Sequence, residues 1–161
     1  SETVRTKPMF RSAFARQRAV IPAHAYYEWV KTADGKQPWM MHAVGHDHLF
    51  MAGLFEFKKL DEDGRRAVGT DPAADSGWLV TVTILTAEAQ GHLAEVHDRM
   101  PVMLGSAQVG EWIDPMAEAE EAERFLSHHL ASFDPGVVSR HRVGTAVGSV
   151  RNEGPELAQP V

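Results

Sequence analysis

The sequence predicts an α+β domain in which a curved, barrel-like, mainly antiparallel sheet carries peripheral helices. Three observations lead to this fold class: short aromatic and apolar segments separated by turn residues, a polar stretch in the middle of the chain, and two segments whose apolar residues recur at helical spacing. A chain of 161 residues is close to the usual size of one domain and can bury about 70% of the surface that its unfolded form exposes. We therefore expect a single domain over residues 1–161.

The first helix and the strands that follow it are predicted from local signals. Pro8 suits the first turn of a helix, so this helix should begin after Lys7 and end before Ala19. Turn formers at residues 34–35 and 45–47 separate the segments beyond it, which are interpreted as consecutive antiparallel strands. These strands are expected at residues 19–22, 26–31, 39–44 and 49–57.

The second half of the chain is predicted to contain both strands and helices. Residues 58–77 are rich in Asp and Gly, which indicates an exposed excursion, and residues 78–85 have the β-branched pattern of a strand. Residues 86–95 should form a helix capped by their first residue, a threonine. An amphipathic helix is expected over residues 116–130, and residues 143–150 are strand-like.

Composition excludes several classes of protein. Hydrophobic residues make up 43% and charged residues 24% of the chain, and no apolar run reaches the roughly 18 residues needed to cross a bilayer. A membrane span is therefore excluded. Because the chain has no cysteine it has no disulfide framework, and its first residues lack the pattern of a secretory signal, so a cytoplasmic location is expected.

The charges are unevenly distributed along the chain. The net charge of −6 argues against indiscriminate binding of polyanions, yet residues 3–23 contain five cations and no acid, whereas residues 111–123 contain six acids. The basic segment has two interpretations. It is either a solvated helix face or, through Arg11, part of a local binding surface for a polyanion.

Glu28 is the first candidate catalytic residue. It lies in the aromatic segment IPAHAYYEW, where strand alternation puts Glu28 and Tyr26 on one face and Tyr27 and Trp29 on the other. If the face of Glu28 is buried, desolvation raises the pKa of its carboxyl toward values useful for proton transfer. The alternative is a glutamate on a solvated sheet face.

A second group of candidates lies in the segment HDRMPV, which begins at His97. Pro101 ends any helix that continues into this segment, so its polar residues sit at a junction. Histidine transfers protons near neutral pH and Arg99 can hold a phosphate in a bidentate way, a combination suited to a phosphorylated substrate. The alternative is a capping histidine beside a structural ion pair between Asp98 and Arg99.

Three histidines close together in sequence raise the question of a metal site. They are His42, His46 and His48, but the acidic or cysteine ligands that would complete such a site are not evident nearby. We therefore expect no metal and no cofactor. A metal-dependent hydrolase that uses these three histidines remains an alternative.

Six sequence blocks occur in the order that is typical of one known family. The blocks are ETVRTKPMFRSAF, IPAHAYYEW, AGLFEF, ILTAEAQ, HDRMPVML and RNEGPEL. Together they resemble the SOS-response-associated peptidase (SRAP) family, in which a cysteine follows the initiator methionine and an Asn-Ala-Arg triplet precedes the Glu-Thr that corresponds to Glu2 and Thr3. The resemblance therefore implies a SRAP-like domain without its amino-terminal segment, incomplete for catalysis.

The resemblance also implies an activity in the response to DNA damage. In the family, the amine and thiol of the first cysteine capture the ring-opened aldehyde of an abasic site in single-stranded DNA as a thiazolidine, and the protein removes its own first residue. By motif match, Glu28 and His97 take the positions of the catalytic glutamate and histidine. Arg11, Thr86 and Arg99 take DNA-contacting positions.

The expected partner is single-stranded DNA that contains abasic sites, bound by a monomer away from membranes. A function from another class is also consistent with the residues. In a noncovalent single-strand-binding module, arginines would hold the phosphates while Trp29, Trp39 or Trp78 stacked on bases.

Overall fold

Four helices and nine strands make up the computed structural model, which describes residues 3–45, 48–68 and 77–161. The helices are α1 (Pro8–Arg16), α2 (Glu62–Val68), α3 (Ser106–Trp112) and α4 (Ala119–Ala131). The strands are β1 (Arg18–Ala23), β2 (Ala25–Thr32), β3 (Gly35–Ala43), β4 (Leu49–Lys59), β5 (Trp78–Ile84), β6 (Thr86–Glu88), β7 (Arg99–Pro101), β8 (Met103–Leu104) and β9 (Val138–Arg142). Short 3-10 helices occur at Gly91–Glu95, Pro135–Val137, Thr145–Gly148 and Pro155–Ala158.

The strands form three antiparallel sheets. The first has the order β1-β4-β5, with β8 also paired to β4, the second has the order β2-β3-β9, and the third is the β6-β7 pair. In the described part of the chain the three sheets do not close into one barrel. The predicted α+β class, with antiparallel sheets and peripheral helices, is confirmed.

Two buried clusters hold the sheets and helices together. The first packs α1, α3 and α4 against β4 and is centred on Phe14 and Trp112, whose ring centroids are 6.1 Å apart. The second packs the β2-β3-β9 sheet against the segment that contains Met100, and both Met41 and Met100 are almost fully buried there. Burying a side chain of this size stabilises a fold by about 1.5–3 kcal/mol. The second cluster therefore fixes the segment around His97 against β2.

Arg18 is a buried cation that joins the end of α1 to the segment after α3. Its guanidinium donates five hydrogen bonds of 2.6–3.0 Å to backbone carbonyls. The acceptors belong to Phe14, Ala15, Trp112, Asp114 and Ala117. Desolvation lowers the pKa of Arg18, and the Asp114 carboxylate opposes that shift. Because the last carbonyls of a helix carry partial negative charge, a cation at this position stabilises the end of α1.

The first half of the predicted structure agrees with the observed one. α1 and the strands β1 to β4 lie where local patterns indicated, and β5 matches the predicted strand over residues 78–85. The polar stretch contains α2, with Leu60 buried before it, while residues 69–76 lie outside the described part of the chain. The last predicted helix is also present as α4, which begins at Ala119 behind a capping box formed by Glu118 and Glu121.

Two predictions for the second half of the chain are wrong. Thr86 does not start a helix but begins β6, because its backbone pairs with Pro101 of β7, and only one 3-10 turn follows at Gly91–Glu95. The strand predicted over residues 143–150 is displaced to β9, because residues 138–142 find hydrogen-bonding partners on β3. In both places pairing with a distant strand overrides the local signal.

No helix in the described residues combines the length and the apolar character needed to span a bilayer.

Candidate functional site

Glu28 lies on the inner face of the β2-β3-β9 sheet. It is directly opposite Trp39 in the β2-β3 ladder, and its same-face neighbours on β2, Tyr26 and Val30, pack against the second buried cluster. The Glu28 side chain is half-buried where this face meets the segment that contains His97. Glu28 is therefore partly removed from water, which disfavours its charged form.

Residues distant in the sequence affect the pKa of Glu28. Burial raises the pKa of Glu28, and the negative charge of Asp98 raises it further, while His97 and a hydrogen bond from the backbone of Trp29 lower it. Burial and the charge of Glu28 together raise the pKa of the neighbouring Tyr26 phenol well above its ordinary range. Glu28 and His97 thus belong to one interacting group of charges, although they come from different elements.

His97 projects from the junction between the 3-10 turn and β7. Val96 on one side and Met100 on the other are buried in the second cluster, which leaves the His97 side chain 44% exposed between these two anchors. Its Nδ1 atom lies 3.0 Å from the backbone nitrogen of Arg99 and 3.0 Å from Oδ1 of Asp98. The local fold thus holds the imidazole at the surface without covering it.

The two contacts of His97 share one ring nitrogen. An Nδ1 without a hydrogen accepts the hydrogen bond from the Arg99 backbone N–H, whereas an Nδ1 that carries a hydrogen donates to the Asp98 carboxylate. One nitrogen cannot do both at once. Nδ1 therefore has a hydrogen-bonding partner whether or not it carries a hydrogen.

Arg99 and Thr86 meet across the β6-β7 pair. The Nη2 atom of Arg99 donates to the carbonyl oxygen of Thr86 at 2.7 Å and to its hydroxyl at 3.2 Å. Both residues line a cleft of about 240 Å³ that also contains Lys7 and Phe10. This cleft brings together two of the three residues for which a contact with DNA was expected.

Arg11, the third of these residues, does not line the Thr86–Arg99 cleft. It is exposed on α1, and the residues from this part of the chain that do line the cleft are Lys7 and Phe10. The basic segment as a whole does not form one surface, because Arg18 is buried and Arg5 pairs with Glu120 and Glu123 of the acidic helix α4. Lys7 is thus the cation of this segment that lines the cleft.

A second, larger cavity lies away from these residues. It has a volume of about 470 Å³ and lies between β4, β8 and α4, with a lining that includes Phe50, Leu104, His129 and Phe133. Neither Glu28 nor His97 lines it. Its position separates it from the charged group, so size alone does not identify the candidate site.

The three histidines considered as metal ligands do not come together in the described residues. His42 packs against His141 with ring centroids 5.3 Å apart, and His48 packs against His24 at 4.4 Å. His46 lies outside the described residues. Within residues 3–45, 48–68 and 77–161 no group of three potential ligands could hold a metal ion.

Sequence reasoning missed a pair of arginines on the same sheet face as Glu28. Arg140 and Arg142 of β9 both lie over the ring of Trp39, at 4.9 and 5.5 Å from its centroid. Trp39 therefore supports two cations and is not an open platform for a base. The alternating pattern of residues 138–142 could have indicated this strand and the shared face of the two arginines. It was missed because the strand was predicted at residues 143–150.

Comparison with known proteins supplies the family. The SOS response associated peptidase (SRAP) family model matches residues 1–150. The chain is 31% identical over 160 residues to the abasic site processing protein YedK of Escherichia coli K12, which covers 99% of this chain and 65% of YedK. It is 27% identical over 181 residues to the abasic site processing protein HMCES of Gallus gallus, which covers the whole chain and 49% of that relative.

A solved structure shares the fold. A protein from Bacteroides thetaiotaomicron superposes with a TM-score of 0.78 at 19% identity, over 99% of this chain and 63% of that protein. This chain thus spans less than two thirds of the length of these two relatives and of this structural neighbour. Since the family model matches all but the last residues, the chain belongs to the SOS response associated peptidase family.

Proposed function

We propose that this chain carries the acid–base and DNA-binding part of a protein that processes abasic sites in single-stranded DNA. The observation that carries the proposal is the half-buried position of Glu28 on the inner face of the β2-β3-β9 sheet, where burial raises its pKa and His97 lowers it. Two relatives that align with essentially the whole chain are named abasic site processing proteins, which supports the same substrate. The Thr86–Arg99 cleft would hold the DNA backbone.

The proposed chemistry is addition to the aldehyde of a ring-opened abasic sugar. A carboxyl whose pKa is raised keeps its proton closer to neutral pH, so Glu28 can protonate the oxygen that leaves as water. His97 can take a proton from the attacking group, because the resulting imidazolium donates to Asp98. These two steps need the acid, Glu28, and the base, His97, on either side of the aldehyde carbon.

The nucleophile of the proposed reaction is the cysteine that follows the initiator methionine in the family, and the 161 residues contain no cysteine. Its amine nitrogen attacks the aldehyde carbon and water leaves, which gives an imine. Its sulfur then adds to the imine carbon while the thiol proton passes to nitrogen, closing a five-membered thiazolidine ring. Release of the initiator methionine to free this amine would be the peptidase step, with the same acid–base pair.

The Thr86–Arg99 cleft supports a backbone-binding role for Arg99. Thr86 holds the guanidinium at the rim through two acceptors, and Lys7 adds a second cation to the same cleft. Cations that contact phosphates position a strand without reading its bases. Such a site suits a protein that must recognise a lesion in any sequence.

The decisive experiment supplies the proposed nucleophile. Joining the family's amino-terminal segment, with a cysteine directly after the initiator methionine, should give an adduct with abasic single-stranded DNA that survives a denaturing gel. Glu28→Gln and His97→Ala should each slow its formation by about 100-fold or more, the usual contribution of general acid–base catalysis. Glu56→Gln, an exposed glutamate on β4, is the matched control and should react at the parent rate.

Two results would contradict this proposal. A gel-stable adduct formed by the chain as it stands would remove the cysteine from the mechanism. No adduct from the extended chain, with equal binding of abasic and undamaged strands, would instead support a noncovalent single-strand-binding module, for which the exposed Trp29 offers a stacking surface.

A further inference from the structure

Three side chains form a row across the inner face of the β2-β3-β9 sheet. Glu28 lies opposite Trp39, and Trp39 lies opposite Arg142. Residues directly opposite one another in antiparallel strands project from the same face, so Glu28 and Arg142 lie on either side of Trp39 on one face of the sheet. Arg140 occupies the next position inward on the same face, opposite Met41.

The two arginines differ in how far they are neutralised. Arg140 pairs with Glu95, and its side chain is only 18% exposed. Arg142 is exposed, and in the described residues its guanidinium has no hydrogen bond or ion pair, its contact being the face of Trp39. Two guanidinium groups thus share one aromatic ring, and Glu95 pairs with Arg140 but not with Arg142.

Stacking on Trp39 prepares Arg142 for an anion. A guanidinium that lies over an aromatic ring is held by its flat face, while its N–H edges remain available for hydrogen bonds. These edges match two oxygens of a phosphate. A cation already held in place loses less conformational freedom on binding than one on a mobile side chain.

Residues on both sides of His97 in the sequence connect it to the arginines described above. Glu95, just before His97, binds Arg140, and Arg99, just after it, binds Thr86. We propose that Trp39, Arg140 and Arg142 form a second phosphate-binding subsite, so that single-stranded DNA is held on both sides of the reacting sugar. This inference rests on the proposed function, because it takes the reacting sugar to lie at Glu28 and His97.

The test measures binding of the 161-residue chain to undamaged single-stranded oligonucleotides of unrelated sequence. Arg142→Gln should weaken binding of all of them to a similar extent and reduce the slope of log affinity against log salt by about 0.7, the value for one phosphate contact on a single strand. Arg142→Lys should recover part of the affinity, because it keeps the charge and loses the planar fork. Arg124→Gln, an exposed arginine on α4, makes the same charge change and should bind like the parent.

The outcomes separate this subsite from the proposed function. Parent-like binding by Arg142→Gln would overturn the subsite, as would equal weakening by Arg142→Gln and Arg124→Gln, because net charge would then explain the effect. Weakening by Arg142→Gln alone would support the subsite, whether or not the extended chain forms an adduct. Absence of that adduct would overturn the abasic-site chemistry and leave the phosphate subsite standing.

Discussion

Arg99 is held to Thr86 by two acceptors on one residue, the carbonyl oxygen at 2.7 Å and the hydroxyl at 3.2 Å from Nη2. The β6-β7 ladder, in which Glu88 lies opposite Arg99, keeps the two strands in this register. The guanidinium is therefore positioned by the backbone fold as well as by a side chain. We propose that a cation oriented in this way contacts a phosphate at the rim of the cleft.

Arg99→Ala should weaken binding to single-stranded DNA of different sequences to a similar extent. A phosphate contact carries no base information, so the loss is uniform, and the salt slope should fall by about 0.7 in magnitude. Fluorescence anisotropy across a salt series measures both quantities. Arg66→Ala is the control, since Arg66 is an exposed residue of α2 that forms a surface ion pair with Asp63 at 3.6 Å.

Removing the Thr86 hydroxyl tests how Arg99 is held. Thr86→Val keeps the carbonyl acceptor and the β-branched shape, so binding should weaken less than in Arg99→Ala. Two outcomes of Arg99→Ala would contradict the phosphate contact. Losses of binding that depend on the DNA sequence would indicate that Arg99 contacts bases. Unchanged binding by Arg99→Ala would leave Arg99 with a purely structural role.

Glu28→Gln should change how stability depends on pH. Because the folded pKa of Glu28 is raised, the folded protein holds this proton more tightly than the unfolded chain, and stability falls as pH rises above the ordinary value of 4.5. Glutamine cannot ionise and removes this loss. The variant should therefore have a higher free energy of unfolding than the parent at pH 8, with a smaller difference at pH 5.

Urea unfolding at the two pH values measures the effect of Glu28→Gln. Glu56→Gln serves as the control and should leave the difference between pH 5 and pH 8 as it is in the parent. The same Glu28→Gln variant should form adducts slowly in the extended chain, so it would be more stable and less active. A variant that loses stability at pH 8 would show that the charged carboxylate is a net stabilising group.

Arg18→Met should destabilise the fold strongly without touching the candidate site. It leaves five backbone carbonyls near the end of α1 and after α3 without their donor. A buried polar group left without a partner costs about 1–3 kcal/mol, so a loss of about 3 kcal/mol or more is expected for the set. Chemical unfolding measures it, with Arg16→Met on the exposed end of α1 as the control.

A small effect of Arg18→Met would mean that water replaces the guanidinium at these carbonyls. The Trp112 indole donates to the carbonyl of Ala19 at 2.8 Å, and this bond would then be the main link between β1 and α3. Trp112→Phe measures the contribution of the Trp112–Ala19 hydrogen bond separately from that of Arg18. It removes this hydrogen bond and keeps most of the aromatic packing with Phe14.

Local sequence patterns were sufficient to predict the helices and strands that are specified by their own residues. Proline at the first turn indicated α1, a short aromatic and apolar segment between turn residues indicated β2, and the β-branched pattern indicated β5. Thr86 carried the signal of a helix cap, yet it became the start of a strand, because Pro101 of β7 supplied its pairing partner. A strand that depends on a partner elsewhere in the chain cannot be located from its own residues alone.

The sequence by itself determined the fold class, the resemblance to a family and the candidates Glu28 and His97, because these follow from residue types and their order. Only the tertiary structure decided what surrounds them. It buried Arg18 among carbonyls and stacked Arg142 on Trp39, although both are arginines in strands. Burial, pairing and charge neutralisation are set by residues far apart in the chain, and these contacts exist only once the sheets have packed.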